Sequence, residues 1–179
     1  MKIGVYLSSK DHLPSSYVEA AQQVGSFIGS EGHTLVYGGA RKGLMEVLAQ
    51  SVKQAGGRVY GMVPEIIEQR GLVSDAIDVT FRCVDLNDRK MMMNRESDVL
   101  VALPGGIGTL DEVFTVMANT VIGIRHQSVV FFNVDDCWSA LLVALDNLFE
   151  QGLISGQPSD YYHVVSNVDE LKNVLKKIG

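Results

Sequence analysis

"VALPGGIGTLDE", residues 101–112, carries an apolar run into a proline, three glycines spaced around one isoleucine, a threonine and two acids. Glycines between a strand and a helix start leave backbone N–H groups open to a ligand that no side chain keeps away, and an anion is the natural guest. The plainer alternative is that the glycines serve only a tight turn and close helix packing.

Working outward, short runs rich in Val, Ile, Leu and aromatic residues recur at 3–7, 34–37, 58–63, 79–84, 99–103, 128–133 and 161–165. Several lack in-out alternation, as expected of strands covered on both faces. Helical patterns lie between them. Ser16 and Glu19 are spaced as a capping box before a stripe through Ala20, Val24 and Ile28, and Asn167 and Glu170 repeat the spacing before Leu171, Val174 and Leu175. Gly32 and Gly152 fall where helices should stop. The alternation predicts an α/β fold: a three-layer αβα domain over 1–179, with a mostly parallel sheet of about seven strands and right-handed crossovers. Ligands of such sheets lie beyond the carboxyl ends of the strands.

The 179 residues carry 15 Lys and Arg against 21 Asp and Glu, a formal charge of −6. That balance offers no general affinity for nucleic acid, so a phosphate would need a local site. Two cysteines without metal spacing suit a reducing compartment. Neither a signal peptide nor a membrane span is legible, and a cytoplasmic protein is expected.

A second glycine loop, "YGGARKGLM" (37–45), follows the second strand and contains Gly38, Gly39 and Gly43. The Walker A order is reversed in it, and the dinucleotide fingerprint counted from Gly106 would need a glycine at Asp111. Thr109 and Glu112 are spaced as a capping box, and two readings stay open: Glu112 returns to its own helix end, or it faces the cavity that the glycines open. In "VDLNDRKMMMNRESD" (84–98), Arg89 and Lys90 stand near a helix start, where cations oppose the helix dipole unless an anion is close; Asp85 or Asp88 would answer them locally. The four histidines show no ligand spacing, so no metal site is expected. The helix pattern at 112–124 is apolar around most of its circumference, which fits either a central core helix or a two-fold dimer interface.

"PGGIGTLDE", with "KIGVYLSS", "LVYGGARKGLM", "GGRVYGMVPE" and "DRKMMM", resembles the LOG (Lonely guy) family of cytokinin riboside 5'-monophosphate phosphoribohydrolases, long mislabelled as lysine decarboxylases. The resemblance runs nearly the length of the chain. It implies a Rossmann-like homodimer that hydrolyses the N-glycosidic bond of a nucleoside 5'-monophosphate, AMP or an N6-modified AMP, to free base and ribose 5-phosphate. No metal or organic cofactor is implied, and the expected partners are a small nucleotide and a second copy, not nucleic acid or membrane. By the same resemblance Arg89 and Glu112 are catalytic. Lys90, Ser8, Gly105, Gly106, Ile107, Gly108, Thr109, Gly38, Gly39 and Gly43 bind substrate. The chain departs from the family pattern at Ala40, at Gly71 and at Ala118 and Asn119, the latter two places lying in regions that help hold the base. Proteins of this fold also bind nucleotides or cofactors without cleaving them, which makes a sensor or carrier module the alternative. A decarboxylase would require a pyridoxal-binding lysine, and no lysine context here suggests one.

Overall fold

A computed structural model describes residues 1–178. Its strands are β1 (Lys2–Tyr6), β2 (Thr34–Tyr37), β3 (Arg58–Pro64), β4 (Val79–Cys83), β5 (Val99–Ala102), β6 (Val129–Phe132) and β7 (Tyr162–Val165). The helices are α1 (Ser15–Ser30), α2 (Gly43–Gln54), α3 (Glu65–Gln69), α4 (Leu86–Glu96), α5 (Ile107–Val121), α6 (Ser139–Glu150) and α7 (Val168–Ile178). All seven strands join one parallel sheet in the order β4-β3-β2-β1-β5-β6-β7.

This order places the site. From β1 the chain builds outward through β2, β3 and β4; it then returns to β5 on the other side of β1 and builds the opposite way. Loops leaving the carboxyl ends of β1 and β5 therefore diverge, and a crevice opens between them at the switch point. The central strands read as unbroken apolar runs because both faces are covered: β5 and β6 are buried at every residue. Alternate residues of one strand feed different cores. Val99 and Val101 pack with α1, α2 and α7, whereas Leu100 and Ala102 pack with Met93 of α4, Val113 and Val116 of α5 and Leu145 of α6.

Helix ends follow local chemistry, with corrections. The Asn167–Glu170 pair forms half of the expected box: Asn167 Oδ1 accepts from Glu170 N at 2.9 Å, but the return bond lands one residue early, Glu170 Oε2 accepting from Ser166 N at 2.7 Å. Gly32 and Gly152 end α1 and α6 with φ of +69° and +70°. The Ser16–Glu19 box does not form, because α1 starts at Ser15 and the Pro14 carbonyl takes the N–H groups of Tyr17 and Val18. α5 likewise starts at Ile107, so Thr109 lies inside its first turn and the Thr109–Glu112 capping box is absent; its N-cap, Gly106, has no side chain to cap with. Among the described residues, no helix is long and apolar enough to cross a membrane.

Candidate active site

A cavity of about 220 Å³ occupies the switch-point crevice. One wall is the segment after β1, Leu7 to Lys10, pinned to the loop after β5 where Ser8 N donates to the Pro104 carbonyl at 3.1 Å. Opposite stands the start of α5, with Gly106, Ile107, Gly108 and Thr109. The first N–H groups of a helix have no intrahelical partner, and with the dipole they favour an anion there. A methyl group added at Gly106 or Gly108 would touch no protein atom within 4 Å. Gly105 differs, since a side chain on it would collide with Thr109 Oγ1. The opening glycines thus divide into two that bare the helix end and one that lets Thr109 pack beneath it.

Arg89 of α4 and Glu112 of α5 close the cavity together. Arg89 Nη2 donates to Glu112 Oε1 at 2.6 Å, and the two side chains are 15% and 4% exposed. Burial pushes the Glu112 carboxyl up to about 7; the charge and hydrogen bond of Arg89 pull it down but do not offset the lost hydration. Glu112 therefore reaches outward to α4 and the cavity, which resolves the two readings that spacing left open. Asp85 caps α4 by accepting from Asn87 N and Asp88 N at 2.8 and 2.9 Å, and Asp88 accepts from Val84 N. With α4 so capped, Arg89 is free to turn to Glu112.

Other expected contacts are distributed differently. Lys90 leaves the cavity and grips Asp111 at 2.7 and 2.8 Å. None of Gly38, Gly39 and Gly43 lines the cavity. Gly38 backs the Arg89 guanidinium, where a Cβ would stand 3.1 Å from Nη1, and Gly43, at φ +56°, lies against the backbone of Ser9 and Lys10. Two amides of that loop are engaged, Arg41 N donating to the Leu72 carbonyl and Gly43 N to Asp11 Oδ1, and the Gly39 carbonyl accepts from Ser74 N. The loop after β2 shapes the site from behind. Ser9, Lys10 and Met45, which the sequence reading did not single out, line the cavity; their only signal is their place just past β1 and at the start of α2. Among the described residues, no group of three or more His, Cys, Asp or Glu could hold a metal ion.

A family model described as possible lysine decarboxylase matches residues 45–175. Cytokinin riboside 5'-monophosphate phosphoribohydrolase LOG3 of Arabidopsis thaliana is 33% identical over 177 residues, covering 99% of this chain and 81% of that protein. The chain belongs to the LOG family. Another LOG relative, LOG1 of Arabidopsis thaliana, is 32% identical over 99% of this chain and 82% of its own length. Among solved structures, the molybdenum cofactor binding protein of Rippkaea orientalis superposes with a TM-score of 0.77 at 27% identity, over 99% of this chain and 96% of that one. The Moco carrier protein of Chlamydomonas reinhardtii, at 23% identity and a TM-score of 0.72, shares the fold. Membership of the LOG family thus rests on sequence relatives, while the fold it uses is shared with cofactor carriers.

Proposed function

We propose that this protein hydrolyses the N-glycosidic bond of a nucleoside 5'-monophosphate, AMP or an N6-modified AMP, to free base and ribose 5-phosphate. The observation that carries the reading is the buried Glu112 carboxylate, held by Arg89 at one end of a cavity whose other side is the bare start of α5. Cleavage sends the C–N electron pair to the base and leaves positive charge on the ribose, an oxocarbenium-like state that a fixed carboxylate stabilises. Water then adds at the anomeric carbon, Glu112, with its affinity for protons tuned to about neutrality, takes the proton that water loses, and the departing base takes up a proton from solvent and leaves neutral. Arg89 keeps the carboxylate aimed and offers its remaining N–H groups to phosphate, ribose or leaving base.

Two opposite charges about 4 Å apart interact by roughly 4 kcal/mol at an effective dielectric near 20. Enzymes lower barriers by about 8 kcal/mol or more, so positioning must supply the rest. A phosphate gripped by the N–H groups of Ile107, Gly108 and Thr109 provides it, because binding energy at the unreactive end holds the sugar against Glu112. A pure carrier has little use for a buried acid beside a bound anion, which that acid repels. The protein works in this reading as a homodimer, with the exposed apolar face of α5 as the contact.

The test is chromatography of free base and ribose 5-phosphate after incubation with purine, pyrimidine and N6-prenylated monophosphates. Both products in equal amounts from at least one of them are expected. Tight binding of a nucleotide with no product from any would class the chain with carriers instead.

A further inference from the structure

The helix that carries Arg89 is fastened at its far end by residues that follow the helix carrying Glu112. Beyond α5 the chain turns through Gly123 at φ +72°. Thr120 Oγ1 ties the turn down, donating its one proton to the Gln127 carbonyl at 2.9 Å, with the Arg125 carbonyl 3.2 Å away as the alternative acceptor. From this turn Arg125 reaches across to the C-terminus of α4. Its Nη1 donates to the Asn94 carbonyl at 2.5 Å and its Nη2 to the Ser97 carbonyl at 3.0 Å, and Gln127 Nε2 gives Ser97 a second bond at 2.9 Å. The last carbonyls of a helix lack intrahelical partners and carry the negative end of its dipole, so a guanidinium fork suits them in geometry and in charge. The Asn94 side chain accepts from the buried Tyr6 hydroxyl, which adds a tie from α4 to β1.

We propose that Arg125 is a positioning residue: its grip on the C-terminus of α4, together with the ion pairs at the other end, fixes α4 against α5 and so holds Arg89 on Glu112. A helix joined to its neighbour at one end only can pivot about that end. With Arg125 in place, α4 is tied to the turn after α5 at this end too, beside the Gln127–Ser97 and Tyr6–Asn94 bonds and the Lys2–Glu96 ion pair, and the turn bearing Arg89 cannot swing without straining the two guanidinium bonds. Arg125 touches neither the cavity nor Glu112.

Glu112 faces Arg89 and Lys90 from α4, Asp111 from its own helix and the Tyr6 hydroxyl from β1. Its titration therefore reports whether Arg89 stays in place, and does so without any turnover. The experiment labels glutamate with ¹³C at Cδ, assigns the Glu112 signal by its loss in Glu112→Gln, and titrates the wild type, Arg125→Met and Arg125→Lys, with thermal melts alongside. In Arg125→Met the Glu112 midpoint should rise by about half a pH unit or more as Arg89 drifts away. Arg125→Lys keeps the charge but not the two-pronged bond, and its midpoint should fall between the other two. A merely structural role would lower the melting temperature of Arg125→Met and leave the Glu112 midpoint where it was, which would overturn the proposal. Wild-type behaviour of Arg125→Lys would overturn the fork in favour of charge alone, and that variant decides the matter by itself if Arg125→Met does not fold. A kinetic arm rests on the proposed function: with AMP, kcat of Arg125→Met should fall about tenfold while KM changes by less than about threefold, since α5 and its amides are untouched. A wild type that cleaves no monophosphate would remove the functional reading and leave the titration to judge Arg125.

Discussion

Arg89 Nη2 and Glu112 Oε1 stand 2.6 Å apart, and one residue further along α4 and one back along α5, Lys90 Nζ and Asp111 Oδ2 stand 2.7 Å apart. The two helices are thus joined by two rungs of unlike character. Glu112 is almost wholly buried, whereas the Asp111 side chain is 56% exposed although its partner Lys90 is only 12% exposed, so the outer rung is partly screened by solvent on its Asp111 side. The inner rung is largely buried in the cavity wall, where its charges act strongly on whatever binds beside them.

Replacing Glu112 with Gln should therefore spare the fold and remove the reaction. Gln keeps an acceptor for Arg89 and nearly the same volume, but it can neither balance a cationic sugar nor take a proton. A loss of kcat of about a hundredfold or more is expected, with the far-ultraviolet spectrum unchanged. Full turnover by a folded Glu112→Gln protein would remove this residue from the mechanism.

The raised titration of Glu112 has a sign that can be checked twice. If the carboxylate is the working form, kcat/KM should rise about tenfold per pH unit toward neutrality and level off once pH passes about 7. For stability the direction is opposite. The folded chain keeps a proton that the unfolded chain releases near its ordinary value of 4.5, so this group's contribution falls as pH rises from 4.5 to about 7 and is flat above. Melting temperatures of wild type should thus lose ground to those of Glu112→Gln across that window. Parallel melts from pH 5 to 8 would show that Glu112 does not titrate there.

The glycines of the helix start make separable predictions. An alanine at Gly108 meets no protein atom, improves helix propensity, and puts a methyl group where the phosphate is expected. Its melting temperature should hold or rise while KM for a monophosphate rises about tenfold or more, as when a ligand loses a hydrogen bond. Alanine at Gly105 would instead be driven into Thr109 and should cost about 1–3 kcal/mol in a denaturant titration. Equal kcat/KM for adenosine and AMP would count against any phosphate anchor at these amides.

Most of the architecture was legible because the sheet is covered on both faces: the seven apolar runs, such as 34–37 and 99–103, match the strands to within a residue at each end. Helix starts were less so. Pro14 and Gly106 begin α1 and α5 through the backbone alone, leaving no side-chain cap for a pattern to detect. The two glycine loops look alike, yet only one borders the cavity; the other pairs through Gly39 and Arg41 with the distant segment at 72–74, a contact that no local pattern shows. Nor could spacing bring together Arg89 and Glu112, 23 residues apart, without knowing that α4 and α5 lie side by side.

The apolar circumference of the 112–124 stretch is only half explained by the core. Val113, Val116 and Met117 are buried, but Phe114, Val121, Ile122 and Ile124 are exposed, and a groove of about 300 Å³ runs between α5 and α6 past Leu148 and Phe149. A second copy of the chain is the occupant proposed, since one helix face meeting itself about a two-fold axis covers both patches at once. Light scattering at micromolar concentration should give twice the chain mass, and Phe114→Glu should halve it. The mass of a single chain for the wild type would contradict the dimer.

The central claim is that the amides of α5 and the Glu112 carboxylate act on one molecule. A crystal structure of Glu112→Gln soaked with AMP tests it most directly. The account predicts phosphate oxygens within about 3 Å of the N–H groups of Ile107, Gly108 or Thr109, with the anomeric carbon beside residue 112. Phosphate bound elsewhere, or a ribose turned away from residue 112 while the amides are occupied, would contradict it.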